Sequence, residues 1–437
     1  MCGKMNKLVV NKIVNKPRQA FENGCWLDYK TPGAVGPIVW DRLKKESISS
    51  HAGISRGGEG QYSITPDFTG TTVPASTCQE LADRFSNGLV AGRTGLIYAR
   101  LGNKNSFELE CALTGLHGCG DAMVFGSGMA AISHLILTLV RAGDNIVYHQ
   151  NIYGCTDDFF SMQLPALGVE TRFADFNDMK TFEKTIDNKT RAVFFETPSN
   201  PALDLIDIAA IANKVNGRCP VIVDNTFASP LGQNPFEFGA NIVVYSLTKS
   251  IGGHSNAIGG AVLGSGTLID ELFTARKDFG GMLAAREASA FLDGIKTLTV
   301  RYNAMQINAI QVAQMLQKNK EVESVNYPLF NKRYPIHGQM KGPGHMLTFV
   351  LKGGMNAGTT FLNSLKMIPN AVSLGCVETL ACHPASTTHA TVPKKLRLRK
   401  GILDGLVRLS IGIEAFEDIK KDINQAINLV ARKSNAS

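Results

Sequence analysis

No run of apolar residues in this chain approaches the length needed to cross a bilayer, which excludes a helical membrane protein. Cys-x-x-Cys spacings are absent as well. The nine cysteines (Cys2, Cys25, Cys78, Cys111, Cys119, Cys155, Cys219, Cys376 and Cys382) are odd in number and irregularly spaced, and no secretory signal accompanies them. They read as reduced thiols of a cytoplasmic protein, and no metal site is expected. Charge of neither sign dominates: 45 Lys and Arg stand against 37 Asp and Glu, and the net +8 is dispersed except near the N-terminus and in Lys394–Lys400 (KKLRLRK). A dispersed excess suits an anionic small ligand, so neither nucleic acid nor membrane is expected as a partner. Internal repeats and low-complexity tracts are missing too. The first 21 residues carry five Lys/Arg and no acid but lack the Ser and Arg enrichment of a transit segment, and read as a disordered or partner-clasping arm.

What is present is a globular composition, 44% hydrophobic and 19% charged, in 437 residues, which is more than one compact core holds. From about Asp121 short β-branched runs alternate with helical stretches: AMVF before MAAISHLILTLV, then NIVYH, ETRFAD, RAVFFE before DIAAIANKV, PVIVD, NIVVYS and AIGGAVLG. This pattern predicts an α/β fold with a mostly parallel sheet covered by helices on both faces. Beyond about Thr299 a long helical segment, the run MLTFVLKGG and a last helix from roughly Phe416 to Ala431 suggest a smaller α/β domain.

Ligands of such sheets sit at the C-terminal ends of the strands, so the residues there carry the chemistry. Phe125-Gly126-Ser127-Gly128-Met129 takes a strand into a helix through two glycines, leaving backbone N–H groups free for a phosphate. Gly126-x-Gly128-x-x-Ala131 also fits a loose dinucleotide fingerprint, but the next strand ends in His149-Gln150 where a ribose would want an acid. PVIVD delivers Asp224, a carboxylate that needs a cationic partner such as a protonated pyridine. NIVVYS leads into Ser246-Leu247-Thr248-Lys249, a lysine between hydroxyl residues that can form an imine with an aldehyde once its pKa is lowered. Taken singly each feature has an ordinary structural role; their order on successive strand ends sets them apart.

With YARLGN (Tyr98–Asn103), FGSGMAAI, IYGCT, ETPSNP, VDNTFASP, SLTKSIGGH, HPASTTHA and DGLVRLSIGIE, the chain resembles the Cys/Met-metabolism PLP-dependent enzymes, the trans-sulfuration enzymes of fold type I, from about Tyr98 to the C-terminus. The resemblance implies an aspartate aminotransferase-like large domain over 103–299, a C-terminal domain over 300–437 and an extended N-terminal region over 1–102 that reaches the neighbouring subunit. It implies pyridoxal 5′-phosphate (PLP) as cofactor, Lys249 as imine-forming base, Asp224 at the pyridine nitrogen, and Tyr153 as stacking ring and acid to the leaving group. Gly128, Met129, Ser246 and Thr248 would hold the phosphate, with Tyr98 and Arg100 supplied across the interface of a homo-oligomer, a dimer of dimers. Arg408, with Ser373 and Asn200, would fork onto the α-carboxylate of an amino-acid substrate.

Cys155 and Lys277 stand where the methionine γ-lyases of this family resemble each other, so both are expected in catalysis of γ-elimination, with L-methionine giving 2-oxobutanoate, methanethiol and ammonia. Two departures keep a γ-replacement synthase, or a lyase for another γ-substituted amino acid, open. The family's Asn-Pro-Thr reads Asn103-Lys104-Asn105, and Thr387 replaces a methionine expected to line the pocket, which would make the pocket smaller and more polar.

Overall fold

The β-branched runs become buried strands. In the computed structural model, which describes residues 44–52, 65–87, 96–118 and 120–434, seven of them form one sheet. These are β1 (Asp121–Phe125), β2 (Asn145–His149), β3 (Glu170–Ala174), β4 (Thr190–Glu196), β5 (Val221–Asp224), β6 (Ile242–Ser246) and β7 (Gly260–Gly264), in the order β1-β7-β6-β5-β4-β2-β3. The five from β6 to β3 run parallel, while β7 is antiparallel to both its neighbours. Period-two alternation splits each strand between two cores. Met123 and Phe125 of β1 pack with helices Gly128–Leu139 and Gly266–Phe279, whereas Ala122 and Val124 pack with Lys104–His117 and Ala285–Gln317. Val193, Phe195, Val221 and Val223 meet helix Ile208–Val215. Burial on both faces explains why these strands read as nearly continuous apolar runs, and each fully buried Phe or Val contributes about 1.5–3 kcal/mol.

The second sheet holds β8 (Val322–Asn326), β9 (Met346–Leu351), β10 (Leu380–Cys382) and β11 (Leu406–Ser410) in the order β10-β11-β9-β8, antiparallel throughout. Leu347, Phe349, Val407 and Leu409 bury one face against helices Ala285–Gln317, Gly354–Ser364 and Phe416–Ser434. The intervening residues point the other way: Met346 packs with Leu203, Phe227 and Leu374, and Arg408, paired across the ladder with Thr348, lies on the same side. Helix Ala285–Gln317 runs unbroken for 33 residues, passing residues 299–300 and contributing to both cores.

Most of the extension read over 1–102, with Trp26 and Trp40, lies outside the described residues. Its described parts include helix Lys45–Ser50, whose Ser49 hydroxyl donates to the Ile295 carbonyl at 2.6 Å, and a bridge from Thr72 to Tyr98. The reading of all cysteines as reduced is corrected at Cys111, which is disulfide-bonded, whereas Cys78, Cys155, Cys219, Cys376 and Cys382 are free thiols. Cys2, Cys25 and Cys119 lie outside the described residues. Pairing is decided by proximity in space, which irregular spacing along the chain does not display. Among the described residues no helix is long and apolar enough to cross a membrane.

Candidate active site

The C-terminal ends of β1, β4, β5 and β6 open onto a cavity of about 500 Å³, closed on its other side by residues of the second sheet's loops and by Arg408 of β11. At the first of these ends Ser127 caps helix Gly128–Leu139, its Oγ accepting from the Ala130 N–H at 3.0 Å. Gly128 approaches the neighbouring strand end closely: a Cβ there would stand 3.0 Å from the Ser246 Cβ and 3.2 Å from its Cα. The helix N-terminus, Gly128, Met129, Ser246 and Thr248 therefore line one wall together. Free N–H groups at the helix end and the Ser246 hydroxyl suit a phosphate, while the Thr248 Oγ1 donates to the Gly259 carbonyl at 3.3 Å and accepts from the Gly259 N–H at 3.1 Å.

Two carboxylates stand side by side at the next strand ends, since β4 and β5 pair Glu196 with Asp224. Asp224 Oδ1 accepts from the Thr226 N–H at 2.9 Å, and burial still pushes its carboxyl up to about 6. Glu196 is 5% exposed, and burial, then Asp224, raises its pKa well above the usual value. Its two oxygens accept from the N–H of Tyr153 at 2.7 Å and of Asn200 at 3.1 Å. One buried acid thus ties together the two loops that bear Tyr153 and Asn200. Sequence reasoning passed over it although it opens ETPSNP; the signal was an acid at a strand end, the same one that identified Asp224.

Lys249 reaches across the cavity and donates from Nζ to the Ser373 hydroxyl at 3.1 Å. Burial, and after it the Arg408 charge, lowers its pKa, which favours the neutral amine that condensation with an aldehyde requires. Arg408 is 5% exposed and fully engaged, donating to Asn200 Oδ1 at 3.0 Å and to the carbonyls of Val372 at 2.7 Å and Ser373 at 3.2 Å. Tyr153 is exposed towards the cavity; its Oη lies 3.4 Å from the Cys155 Sγ, and hydrogen bonding of the phenol to that sulfur, then burial, pushes the phenol up to about 12. Of the residues expected at the site, these and the phosphate-side group share one cavity.

Three expected residues do not join it within the chain. Arg100 stacks over the Tyr98 ring, 5.6 Å to the centroid, and donates to the Lys277 carbonyl, while the Lys277 ammonium sits 3.5 Å from Asp278. Thr387 also stays out: its hydroxyl donates to the His383 carbonyl at 2.9 Å, and the next two residues, Thr388 and His389, line the cavity in its place. The turn Pro384–Ser386 sets this one-residue difference from expectation.

The donor set fits PLP. Among the described residues Asp224 has no cationic partner and would gain one from a pyridinium, Lys249 is a half-buried amine, and the helix end with Ser246 offers neutral donors to a phosphate. A pH dependence follows. A folded-state carboxyl pKa raised to about 6 means that the protonated form is preferred on folding, so its contribution is full at low pH and is lost as pH rises through about 6. A pyridinium beside Asp224 removes that loss. The gain in melting temperature on adding PLP should therefore grow between about pH 4 and about pH 6 and level off above. Melting curves of cofactor-free and loaded protein across that window check this, and a constant difference would contradict it.

Residues 51–428 match the family described as Cys/Met metabolism PLP-dependent enzyme. L-methionine gamma-lyase of Fusobacterium nucleatum subsp. polymorphum is 38% identical over 388 residues, covering 87% of this chain and 97% of that protein. Cystathionine gamma-lyase of Bacillus subtilis is 35% identical over 391 residues, 88% of this chain and 99% of that protein. The metY structure of Campylobacter jejuni, solved with N′-pyridoxyl-lysine-5′-monophosphate, superposes with a TM-score of 0.82 at 29% identity, covering 88% of this chain and 100% of that one.

Proposed function

The chain belongs to the Cys/Met metabolism PLP-dependent enzymes, and we propose that within this family it catalyses γ-elimination from L-methionine. The reaction consumes water and yields 2-oxobutanoate, methanethiol and ammonia. The observation that carries the reading is the meeting in one cavity of Lys249, the Tyr153–Cys155 pair and the Arg408 clamp. When bound, PLP supplies an electron sink for negative charge developing on the substrate's carbons. The chain supplies the rest. Arg408 holds the α-carboxylate, with Asn200 fixing the guanidinium from one side and the Val372 and Ser373 carbonyls from the other. Lys249, freed as an amine, takes the α-proton and hands protons along the same face, with Ser373 holding its Nζ in place. Tyr153, still protonated at neutral pH because Cys155 and burial raise its pKa, gives its proton to the departing sulfur.

Tyr98, Arg100 and Lys277 are assigned to the cavity of a second copy. Tyr98 is 42% and Phe279 70% exposed, and neither lines the chain's own cavity. The protein would then be a homo-oligomer, working in the cytoplasm. A γ-replacement synthase is the second reading, favoured by the polar Thr388 and His389 in the lining. Purified, PLP-loaded protein given L-methionine should release 2-oxobutanoate and methanethiol together. If it is inert towards methionine and instead joins sulfide to O-acetylhomoserine, the replacement reading holds and the lyase reading fails.

A further inference from the structure

Once Lys249, Asp224 and the phosphate-side groups are assigned to the cofactor and Arg408 to the carboxylate, part of the cavity wall has no task. It carries Asp158, Thr388 and His389. A methylthio group offers almost nothing for such residues to bind, because a thioether sulfur is only a weak acceptor. His389 is half-buried, with its Nδ1 2.9 Å from the Thr388 Oγ. No described residue pairs with its Nε2. The charges facing the ring are Lys400, Arg408, Asp157 and Arg397, and Asp157 is already taken by Lys400 at 2.6 Å and by the Tyr148 hydroxyl at 3.2 Å. Burial, then Lys400 and Arg408, hold the imidazole down at about 4, so it is neutral at physiological pH.

We propose that His389, seated on Thr388, is a specificity-determining residue that hydrogen-bonds a polar atom of the substrate's γ substituent. The inference rests on the preceding reading that the cavity takes a γ-substituted amino acid with its carboxylate at Arg408. The Thr388 hydroxyl can donate to Nδ1 or accept from it, and Nε2 is accordingly a donor or an acceptor. A carbonyl oxygen, as in an acyl ester, or an N–H group is met with equal ease. The substrate class therefore extends beyond thioethers to amino acids whose γ substituent bears a hydrogen-bonding atom one or two bonds past the leaving atom.

The test needs no turnover. L-norleucine and L-glutamine match methionine in length, cannot undergo γ-elimination, and differ from each other by the terminal amide that takes the place of an ethyl end. Calorimetric titration of the PLP-loaded enzyme should show glutamine binding roughly 3- to 10-fold more tightly. In His389→Leu the ratio should fall to about 1 with norleucine affinity unchanged, and His389→Gln should restore it. Thr388→Val, which frees Nδ1 and leaves the imidazole in place, should lower the ratio part of the way. Equal affinities in the unsubstituted enzyme, or an equal weakening of both ligands in His389→Leu, would overturn the proposal. If neither ligand binds, the premise about the cavity falls with it. If the ratio behaves as stated and methionine is nevertheless not cleaved, the reaction assignment alone is wrong.

Discussion

Replacing Lys249 with alanine should leave a folded protein that binds PLP without a covalent link and turns over no substrate. The amine lines the cavity, has its pKa lowered by burial and by Arg408, and among the described residues its Nζ is held by the Ser373 hydroxyl. Removing it deletes the attachment point and the base together. Loss of positioned proton transfer by itself costs on the order of 10²–10⁴-fold, and loss of the nucleophile adds to that. The backbone around Lys249 is fixed independently of the side chain: Gly253 N–H donates to the Lys249 carbonyl at 2.8 Å, and Arg301 donates to the carbonyls of Ser250 and Ile251 at 2.9 and 3.3 Å. The variant should therefore melt near the unsubstituted, cofactor-free protein. Borohydride reduction followed by intact mass should show cofactor attached to the unsubstituted chain and none on the variant. Retained turnover in Lys249→Ala would remove the base from the proposed mechanism.

The strand-end residues were legible because local pattern and function coincide there. A β-branched run that stops at Asp224, or at Ser246 with Lys249 three residues on, announces both the strand and what it delivers. Glu196 shows where that logic stops. It ends its strand in the same way, yet its importance comes from lying opposite Asp224 and from accepting N–H groups of Tyr153 and Asn200, and these relations depend on sheet register and loop return. The same holds at the second sheet. MLTFVLKGG read as a strand, but its antiparallel pairing with β11, which sets Arg408 beside Thr348 on the face turned to the cavity, is a long-range fact. Thr387 misled by one residue because a short turn, rather than strand periodicity, orients that segment. Lys277 and Arg100 cannot be judged from one chain's pattern at all, since they meet each other away from the cavity.

Arg408→Lys should be nearly as damaging to substrate binding as Arg408→Ala, and neither should release the cofactor. The guanidinium works through planar geometry: one nitrogen donates to Asn200 and the other to two carbonyls, which fixes its plane at the cavity wall, where a substrate carboxylate would be gripped by two bonds as it takes the place of some of these acceptors. A lysine ammonium is a point charge on a flexible stem and cannot satisfy the Asn200 amide and both carbonyls while also presenting a fork. Each charge-assisted hydrogen bond lost from a buried pair is worth about 1.5–3 kcal/mol, so two lost bonds should lower kcat/KM by roughly two to four powers of ten. Most of that should fall on KM, because the carboxylate is gripped equally in the bound substrate and in the transition state. One further effect separates this role from a purely structural one. Arg408 lowers the pKa of Lys249, so its removal should raise that pKa and shift the alkaline rise of the pH profile for cofactor attachment upwards, whereas Arg408→Lys, which keeps a positive charge, should shift it less. Measuring kcat and KM separately alongside that profile for both variants decides the matter. A drop in kcat with KM unchanged would place Arg408 in the chemistry of the reacting centre instead of in the grip on the carboxylate.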